Sequence, residues 1–291
     1  MTARIIDGKA VAKQLREEYT QRAARLQAAH RVQPGLAVIL VGSNPASQLY
    51  VSNKVRACGE VGIRSERVEF PADIGEERLL AEIDRLNADP TVHGILVQLP
   101  LPAHFGMRRV LERISVAKDV DGFHLYNVGG LLTGSTVFPP CTPYGVQKLL
   151  QHEKVEIAGR NVVVVGASNI VGKPVAMMLM QKDATVCICH KYTRDLGVFT
   201  LMADILVVAA GVPNLIVPQM VRTGAVVIDV GINRVPDASK KSGYRLVGDV
   251  HFASVAPLAA KITPVPGGVG PLTVALLMKN TVKAWRQGRP A

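Results

Sequence analysis

A lysine inside an apolar stripe is the first residue of this chain whose type and position invite chemistry. In the run Pro45-Ala-Ser-Gln-Leu-Tyr50-Val-Ser-Asn-Lys54-Val-Arg-Ala57-Cys58-Gly-Glu-Val61, helical spacing puts Tyr50, Lys54, Ala57, Cys58 and Val61 on one face. Such a lysine has two fates. Its stem can lie along the surface with the ammonium in water, or the amine can be partly desolvated and suited to proton transfer near neutral pH. An amide and a carboxylate follow. Gln98 ends an apolar run and precedes Leu99-Pro100-Leu101-Pro102, so it is delivered at the carboxyl edge of a strand, where open parallel sheets bind ligands. Lys118-Asp-Val-Asp121-Gly122-Phe-His124 offers Asp121, for which the plainer reading is a turn cap before glycine.

Further along, Val162-Val-Val-Val-Gly166-Ala167-Ser168-Asn-Ile-Val-Gly172-Lys-Pro174 reads as a strand, a small-residue turn and a helix start. In that geometry backbone N–H groups receive a pyrophosphate. The spacing departs from G-x-G-x-x-G, so a plain tight turn also fits. At the end of the next strand, NAD-binding sheets place an acid for the ribose hydroxyl. This chain has His190-Lys191-Tyr192-Thr193-Arg194 there. Cations in place of a carboxylate suit the extra phosphate of NADP, against a solvated basic turn as the plainer alternative. Pro264-Val-Pro266-Gly267-Gly268-Val269-Gly-Pro271 is rigid yet glycine-bearing, suited to close approach of backbone to a flat ligand or to service as a linker. Cys187-x-Cys189-His190 lacks a second ligand pair, so no metal site is expected.

These residues need a scaffold, and the periodicity of the chain supplies one. Its 291 residues are 48% hydrophobic and 20% charged, which excludes intrinsic disorder and fibrous repeats. Short apolar runs alternate with helix-length amphipathic stretches, so the expected class is α/β with parallel sheets. The first half predicts strands at Leu36 to Val41, Ser65 to Phe70 and Gly94 to Gln98, with helices near Lys9 to His30, Pro45 to Glu60 and Glu76 to Asp89. From Lys118 to Pro143 the periodicity gives way to Gly, Pro, Asn and Thr, which marks a connection between domains. A second series, with strands at Asn161 to Val165, Thr185 to Cys189, Ile205 to Ala209 and Val226 to Val230, reads as a Rossmann-like doubly wound sheet. A last helix is expected over Leu272 to Arg286. The expected domains are 1–138 with 271–291, and 139–270.

No apolar run approaches the roughly 18 residues of a membrane span. The first ten residues contain Arg4, Asp7 and Lys9 and lack an export core. The four cysteines are too few and irregular for a disulfide framework, which suits a reducing cytoplasm. A net charge of +11 calls for anionic partners. Nucleic acid is disfavoured, because aromatics are 4% of the chain and do not interleave with a basic stripe.

Taken in order, Tyr50-x-x-x-Lys54, Gln98-Leu-Pro-Leu-Pro102, Lys118-Asp-Val-Asp-Gly-Phe-His124, Pro140-Cys-Thr-Pro143, Gly166 to Pro174, Asp229-Val-Gly-Ile-Asn-Arg234 and Pro264 to Pro271 resemble the bifunctional methylenetetrahydrofolate dehydrogenase/cyclohydrolase family over essentially the whole length. The resemblance implies oxidation of methylene- to methenyl-tetrahydrofolate with hydride passing to NADP, then hydrolysis to formyl-tetrahydrofolate at the same site, in a cleft between the two domains. It implies that Lys54 serves the hydrolytic step with Gln98 as its partner. Asp121 would hold the pterin, Tyr50 would stack on the aminobenzoyl group, and Leu99 with Pro266, Gly267, Gly268 and Val269 would wall the folate. Gly166, Ala167, Ser168 and Ile232 would contact the nucleotide. Some relatives carry arginine where Ala167 stands, which leaves Lys191 and Arg194 for the 2′-phosphate. Other departures from common family residues are Leu125, Gly130 and His251. The implied partners are tetrahydrofolate derivatives, polyglutamylated forms included, and a second copy in a homodimer. The rival readings are an NADP oxidoreductase of another small substrate and a basic nucleic-acid-binding protein.

Overall fold

The computed structural model describes residues 3–240 and 243–288. In chain order its elements are β1 (Arg4–Ile5), α1 (Gly8–His30), β2 (Gly35–Val41), α2 (Pro45–Val61), β3 (Arg64–Phe70), α3 (Glu76–Ala88), β4 (Gly94–Val97), α4 (Met107–Arg113), α5 (Leu125–Thr133) and α6 (Cys141–His152). There follow β5 (Asn161–Val165), α7 (Gly172–Met180), β6 (Thr185–Cys189), α8 (Leu196–Thr200), β7 (Ile205–Val208), β8 (Val226–Asp229), β9 (Asn233–Pro236), β10 (Tyr244–Val247), α9 (Phe252–Val255), β11 (Lys261–Ile262) and α10 (Gly270–Gln287). The chain divides into two compact units, Lys13–Cys141 with Val274–Ala291, and Met1–Ala12 with Thr142–Thr273. They are called below the lysine unit and the glycine-turn unit.

The lysine unit is built on a parallel sheet of order β3-β2-β4. Strand β2 is buried along its whole length, as a central parallel strand with both faces covered must be. Helix α3 sets Leu79, Leu80, Ile83 and Leu86 at helical spacing on one buried face, and these pack with Ala37, Ile39, Val41 and Ile95 of the sheet. Beside β4 the chain returns in parallel: Ile95 N–H donates to Lys118 O at 2.8 Å, and Ile95 faces Asp119 in a bridge. The stretch expected as a connection between domains is thus ordered structure of this unit. Asp119 and Asn127 organise it with polar bonds, so it has no apolar period for sequence reading to detect. Helix α10 joins through Asn280, whose Nδ2 donates to Val120 O at 2.9 Å and Pro139 O at 3.2 Å.

The glycine-turn unit carries six parallel strands in the order β1-β11-β8-β7-β5-β6. From β5 the chain passes to β6 on one side and then to β7 on the other, which makes the carboxyl edge between β5 and β7 a topological switch point. Strands β5 to β8 lie where their valine-rich runs predict. The chain start, expected in the first domain, instead lends β1 to this sheet: Arg4 pairs with Lys261 and Ile5 with Ile262. Two-residue strands such as β1 and β11 are too short to show alternation. The antiparallel hairpin β9-β10 was missed because its burial is only partial and its residues are mixed in polarity.

Candidate active site

In the lysine unit, Asn44 starts α2 by accepting the N–H of Ser47 on Oδ1 at 3.3 Å, with Pro45 as the first helical residue. The expected face forms. Ala57, Cys58 and Val61 are buried, Lys54 is 7% exposed, and Tyr50, one turn nearer the helix start, is 41% exposed. Lys54 therefore does not reach into water. Its Nζ donates to Gln98 Oε1 at 3.0 Å, and Gln98 Nε2 donates to Leu99 O at 2.7 Å. Gln98 sits just past β4, its N–H held by Ile39 O at 2.9 Å.

Asp121 follows the segment paired with β4 and completes the cluster. Burial pushes its carboxyl above the usual carboxylate range; the Lys54 charge opposes this, the Asp119 charge adds to it, and a hydrogen bond from Cys141 lowers it. The loop carrying Asp121 is shaped by Asp119. That carboxylate accepts the N–H groups of Gly122 (3.1 Å), Phe123 (3.2 Å) and His124 (2.8 Å) and Asn127 Nδ2 (2.7 Å), while Asn127 Oδ1 accepts Phe138 N–H at 3.0 Å. Burial raises the Cys58 thiol to about 11 and the Cys141 thiol well above its ordinary value. Neither is a thiolate nucleophile at neutral pH. Sequence reasoning missed Asp119, Asn127 and Cys141 as builders of the site; the Asp-x-Asp spacing was the available signal. At Gly130 a Cβ would lie 2.9 Å from the Thr136 backbone, so a larger side chain has no room there.

In the glycine-turn unit, Gly166 has φ +124°, and a Cβ on it would meet Ala209 O at 2.2 Å. A Cβ on Gly172 would meet Gly166 O at 1.9 Å. The turn is bare backbone at the switch point, with Ser168 Oγ accepting the N–H groups of Val171 (3.1 Å) and Gly172 (3.3 Å) at the start of α7. At the end of β6, Lys191 and Arg194 are exposed, and among the described residues neither forms an ion pair; Lys191 Nζ lies 4.8 Å from the Tyr192 ring centroid. This bare turn with free cations beside it fits a phosphorylated dinucleotide. Ile232 is 42% exposed, while Gly267, Gly268 and Val269 are buried and Pro266 is exposed. These five fall in the glycine-turn unit, whereas Tyr50, Lys54, Gln98, Leu99 and Asp121 fall in the other.

Residues 6–121 match the family model described as tetrahydrofolate dehydrogenase/cyclohydrolase, catalytic domain, and residues 140–289 match its NAD(P)-binding domain. The chain belongs to the tetrahydrofolate dehydrogenase/cyclohydrolase family. It is 57% identical over 287 residues to the bifunctional protein FolD of Nitrosospira multiformis, covering 99% of this chain and 97% of that one. Among solved structures, the bifunctional enzyme FolD of Campylobacter jejuni has a TM-score of 0.93 at 48% identity, over 98% of this chain and 99% of that one. The Trypanosoma brucei enzyme, solved with NADP and an inhibitor, has a TM-score of 0.97 at 43% identity and full coverage of both chains. The activities of this chain are those of the family, methylenetetrahydrofolate dehydrogenase and methenyltetrahydrofolate cyclohydrolase.

The NAD(P)-binding domain of this family member also contains a buried carboxylate at the end of β8. Asp229 accepts the N–H groups of Gly231 (3.0 Å), Asp249 (3.0 Å) and Val250 (2.9 Å), yet burial outweighs these donors and pushes its carboxyl up to about 7, with the Asp249 charge adding to the rise. An unfolded aspartate titrates at about 3.9. Between about pH 4 and pH 7 the folded chain therefore holds a proton that the unfolded chain has released, and stability falls as pH rises through that window. Asp229→Asn removes this titration. Thermal melts followed by circular dichroism between about pH 4 and pH 8 should show a flatter pH dependence in the variant, by a few kcal/mol at most; parallel curves would contradict the assignment.

Proposed function

We propose that the Lys54, Gln98 and Asp121 cluster performs the folate chemistry and that the Gly166 turn with Lys191 and Arg194 binds NADP. The part-buried hydrogen bond from the buried Lys54 to Gln98 carries the reading. A desolvated amine held by a neutral acceptor is placed to exchange a proton with a substrate. Asp121 holds the pterin through its ring nitrogens, Tyr50 stacks on the aminobenzoyl ring at the open end of the helix face, and Leu99 supplies apolar wall. Oxidation of the methylene group needs no protein proton. NADP, when bound, accepts the hydride at its nicotinamide, and the chain's task in that step is positioning.

Hydrolysis does need a proton carrier. Water adds to the methenyl carbon, Lys54 Nζ as the amine takes one proton of that water, and this proton goes to N5 as the bond from the carbon to N5 breaks; the remaining hydroxyl proton passes to solvent as the carbonyl forms, leaving the formyl group on N10. Gln98 Oε1 fixes Nζ throughout. The anionic glutamate tail of folate, polyglutamylated forms included, and NADP give the positive surplus its use. Among the described residues no helix is long and apolar enough to cross a membrane, and the four cysteines are free thiols, which supports a cytoplasmic enzyme. Tyr192, Val198, Leu201 and Met202 lie exposed on or near edge strand β6 and α8, and we read this edge as the homodimer seam; light scattering should give twice the 31.2 kDa chain mass.

Charge-assisted bonds to a phosphate contribute about 1.5 to 3 kcal/mol each, so NADP should be preferred over NAD by at least tenfold in kcat/KM. Lys191→Ala with Arg194→Ala should raise KM for NADP and leave NAD nearly unchanged in an NADPH- and NADH-absorbance assay. Equal use of both cofactors by the wild type would count against this role.

Lys54→Met keeps the bulk of the stem and removes the proton site. Methenyl-tetrahydrofolate decay should slow by a factor on the order of 10² to 10⁴, while dehydrogenase turnover falls far less. Near-normal hydrolysis in a correctly folded variant would move the proton transfer elsewhere.

A further inference from the structure

The glycine-turn unit contains a carboxylate that none of the proposed steps uses. Asp249 is fully buried. Its Oδ2 accepts the N–H groups of Ala210 (2.7 Å) and Gly211 (2.8 Å), and its Oδ1 accepts Asn233 Nδ2 (2.8 Å). Two successive N–H groups aimed at one oxygen, with Gly211 at φ +69°, form a backbone nest of the kind that binds anions. Here the chain's own side chain fills it. The loop so held begins at Ala209, whose carbonyl leaves no room for a Cβ on Gly166. The other arm, through Asn233, holds the far end of the loop that exposes Ile232.

We infer that Asp249 is a positioning residue for the NADP edge, clamping the loops after β7 and β8 against the Gly166 turn without touching the nucleotide. The backbone is shaped for this. A Cβ on Gly231 would lie 2.1 Å from Asp249 Oδ1, and one on Gly248 would lie 1.8 Å from Asp229 Oδ2. Glycine stands where each carboxylate must approach the main chain. Asp249 is itself fixed at its own backbone, since its N–H donates to Asp229 and its carbonyl accepts Ile216 N–H at 3.0 Å. The outer side of the clamped loop, Gly211 to Asn214, is exposed. Each partner of the carboxylate is a neutral dipole, so Asp249→Asn sets an N–H₂ group against an existing N–H donor and opens one arm.

This inference rests on the reading of this edge as the NADP site, and the test separates the two. In the intact enzyme, NADP affinity is measured by calorimetry, amide exchange of the 209–214 segment by mass spectrometry, and both activities by absorbance. Wild type that binds no NADP defeats the underlying reading. For Asp249→Asn the expected result is a rise in NADP Kd and KM of about tenfold, with kcat changed by less than about threefold, faster exchange at 210 and 211, and hydrolysis near normal. Unchanged NADP Kd despite faster exchange overturns the inference. So does a loss of both activities in parallel with thermal stability, which would make Asp249 a general brace. Asn233→Ala releases only the arm after β8 and leaves the nest filled. It should raise NADP Kd about threefold to tenfold without faster exchange at 210 and 211. If Asp249→Asn does not fold, an unchanged Kd in Asn233→Ala overturns the inference alone.

Discussion

A buried lysine sets the terms for the lysine unit. Lys54 is 7% exposed, and a charge taken out of water costs several kcal/mol unless partners replace the solvent. The unit replaces it in a specific way. The one hydrogen bond described for Nζ goes to a neutral amide oxygen, Gln98 Oε1 at 3.0 Å, and the carboxylate that opposes the charge, Asp121, is itself pushed toward its protonated form by burial. A carboxylate at position 98 would hold the proton on lysine as a tight pair. The amide holds the nitrogen in place without a charge of its own, which suits the role proposed for Lys54 in hydrolysis. Strand β4 delivers Gln98 to this nitrogen, and the parallel return beside it, through Asp119, delivers Asp121.

Both units solve the placement of a functional loop by the same device, a buried aspartate that accepts backbone N–H groups. In the lysine unit Asp119 gathers Gly122, Phe123 and His124, with Asn127 as the side-chain arm. In the glycine-turn unit Asp249 gathers Ala210 and Gly211, with Asn233 as the arm. An aspartate with an asparagine partner presents acceptors in two directions at fixed separation, so a loop without apolar anchors acquires one conformation. The cost is desolvation, seen in the raised carboxyls of Asp119, Asp121 and Asp229. In the glycine-turn unit the loop so held keeps its outer side, Gly211 to Asn214, exposed.

This device also explains what could be read from residue order and what could not. Apolar period revealed the strands β2 to β8 and the long helices to within a residue or two; β2, β4, β5, β7 and β8 are buried almost along their whole length, while β3 and β6, at the sheet edges, are only partly buried. It placed Lys54 beside Tyr50, and the strand end placed Gln98 at a carboxyl edge. The segment 118–143 looked like a linker, since Asp119 and Asn127 hold it by polar bonds that have no sequence period. Strand β1 escaped because two residues carry no pattern and its partner, Lys261–Ile262, is distant in the chain. Asp249 escaped for a different reason: Gly-Asp-Val reads as a turn, and only the fold shows that three loops converge on its carboxylate.

The glycines mark these convergences more faithfully than the acids do. An aspartate before or after glycine is common in any turn, so Asp249, which follows Gly248, is undistinguished as a letter. A glycine whose Cβ would fall within 2.2 Å of a buried carboxylate or carbonyl oxygen, as at Gly166, Gly231 and Gly248, has a stricter cause: a polar atom has taken the space of its side chain. Gly166 follows β5, Gly231 follows β8 and Gly248 approaches Asp229 at the end of β8, so these three gather at the carboxyl edge of the six-stranded sheet, while Gly35, whose Cβ would meet Thr91 O at 2.2 Å, shows the same close approach at the start of β2 in the other unit. At these positions the edge is assembled by close approach of backbone to oxygen, which leaves no room for a side chain. A bulky residue at Gly166, Gly231 or Gly248 would have to displace main chain or a buried acid, and the loops of this edge would move with it.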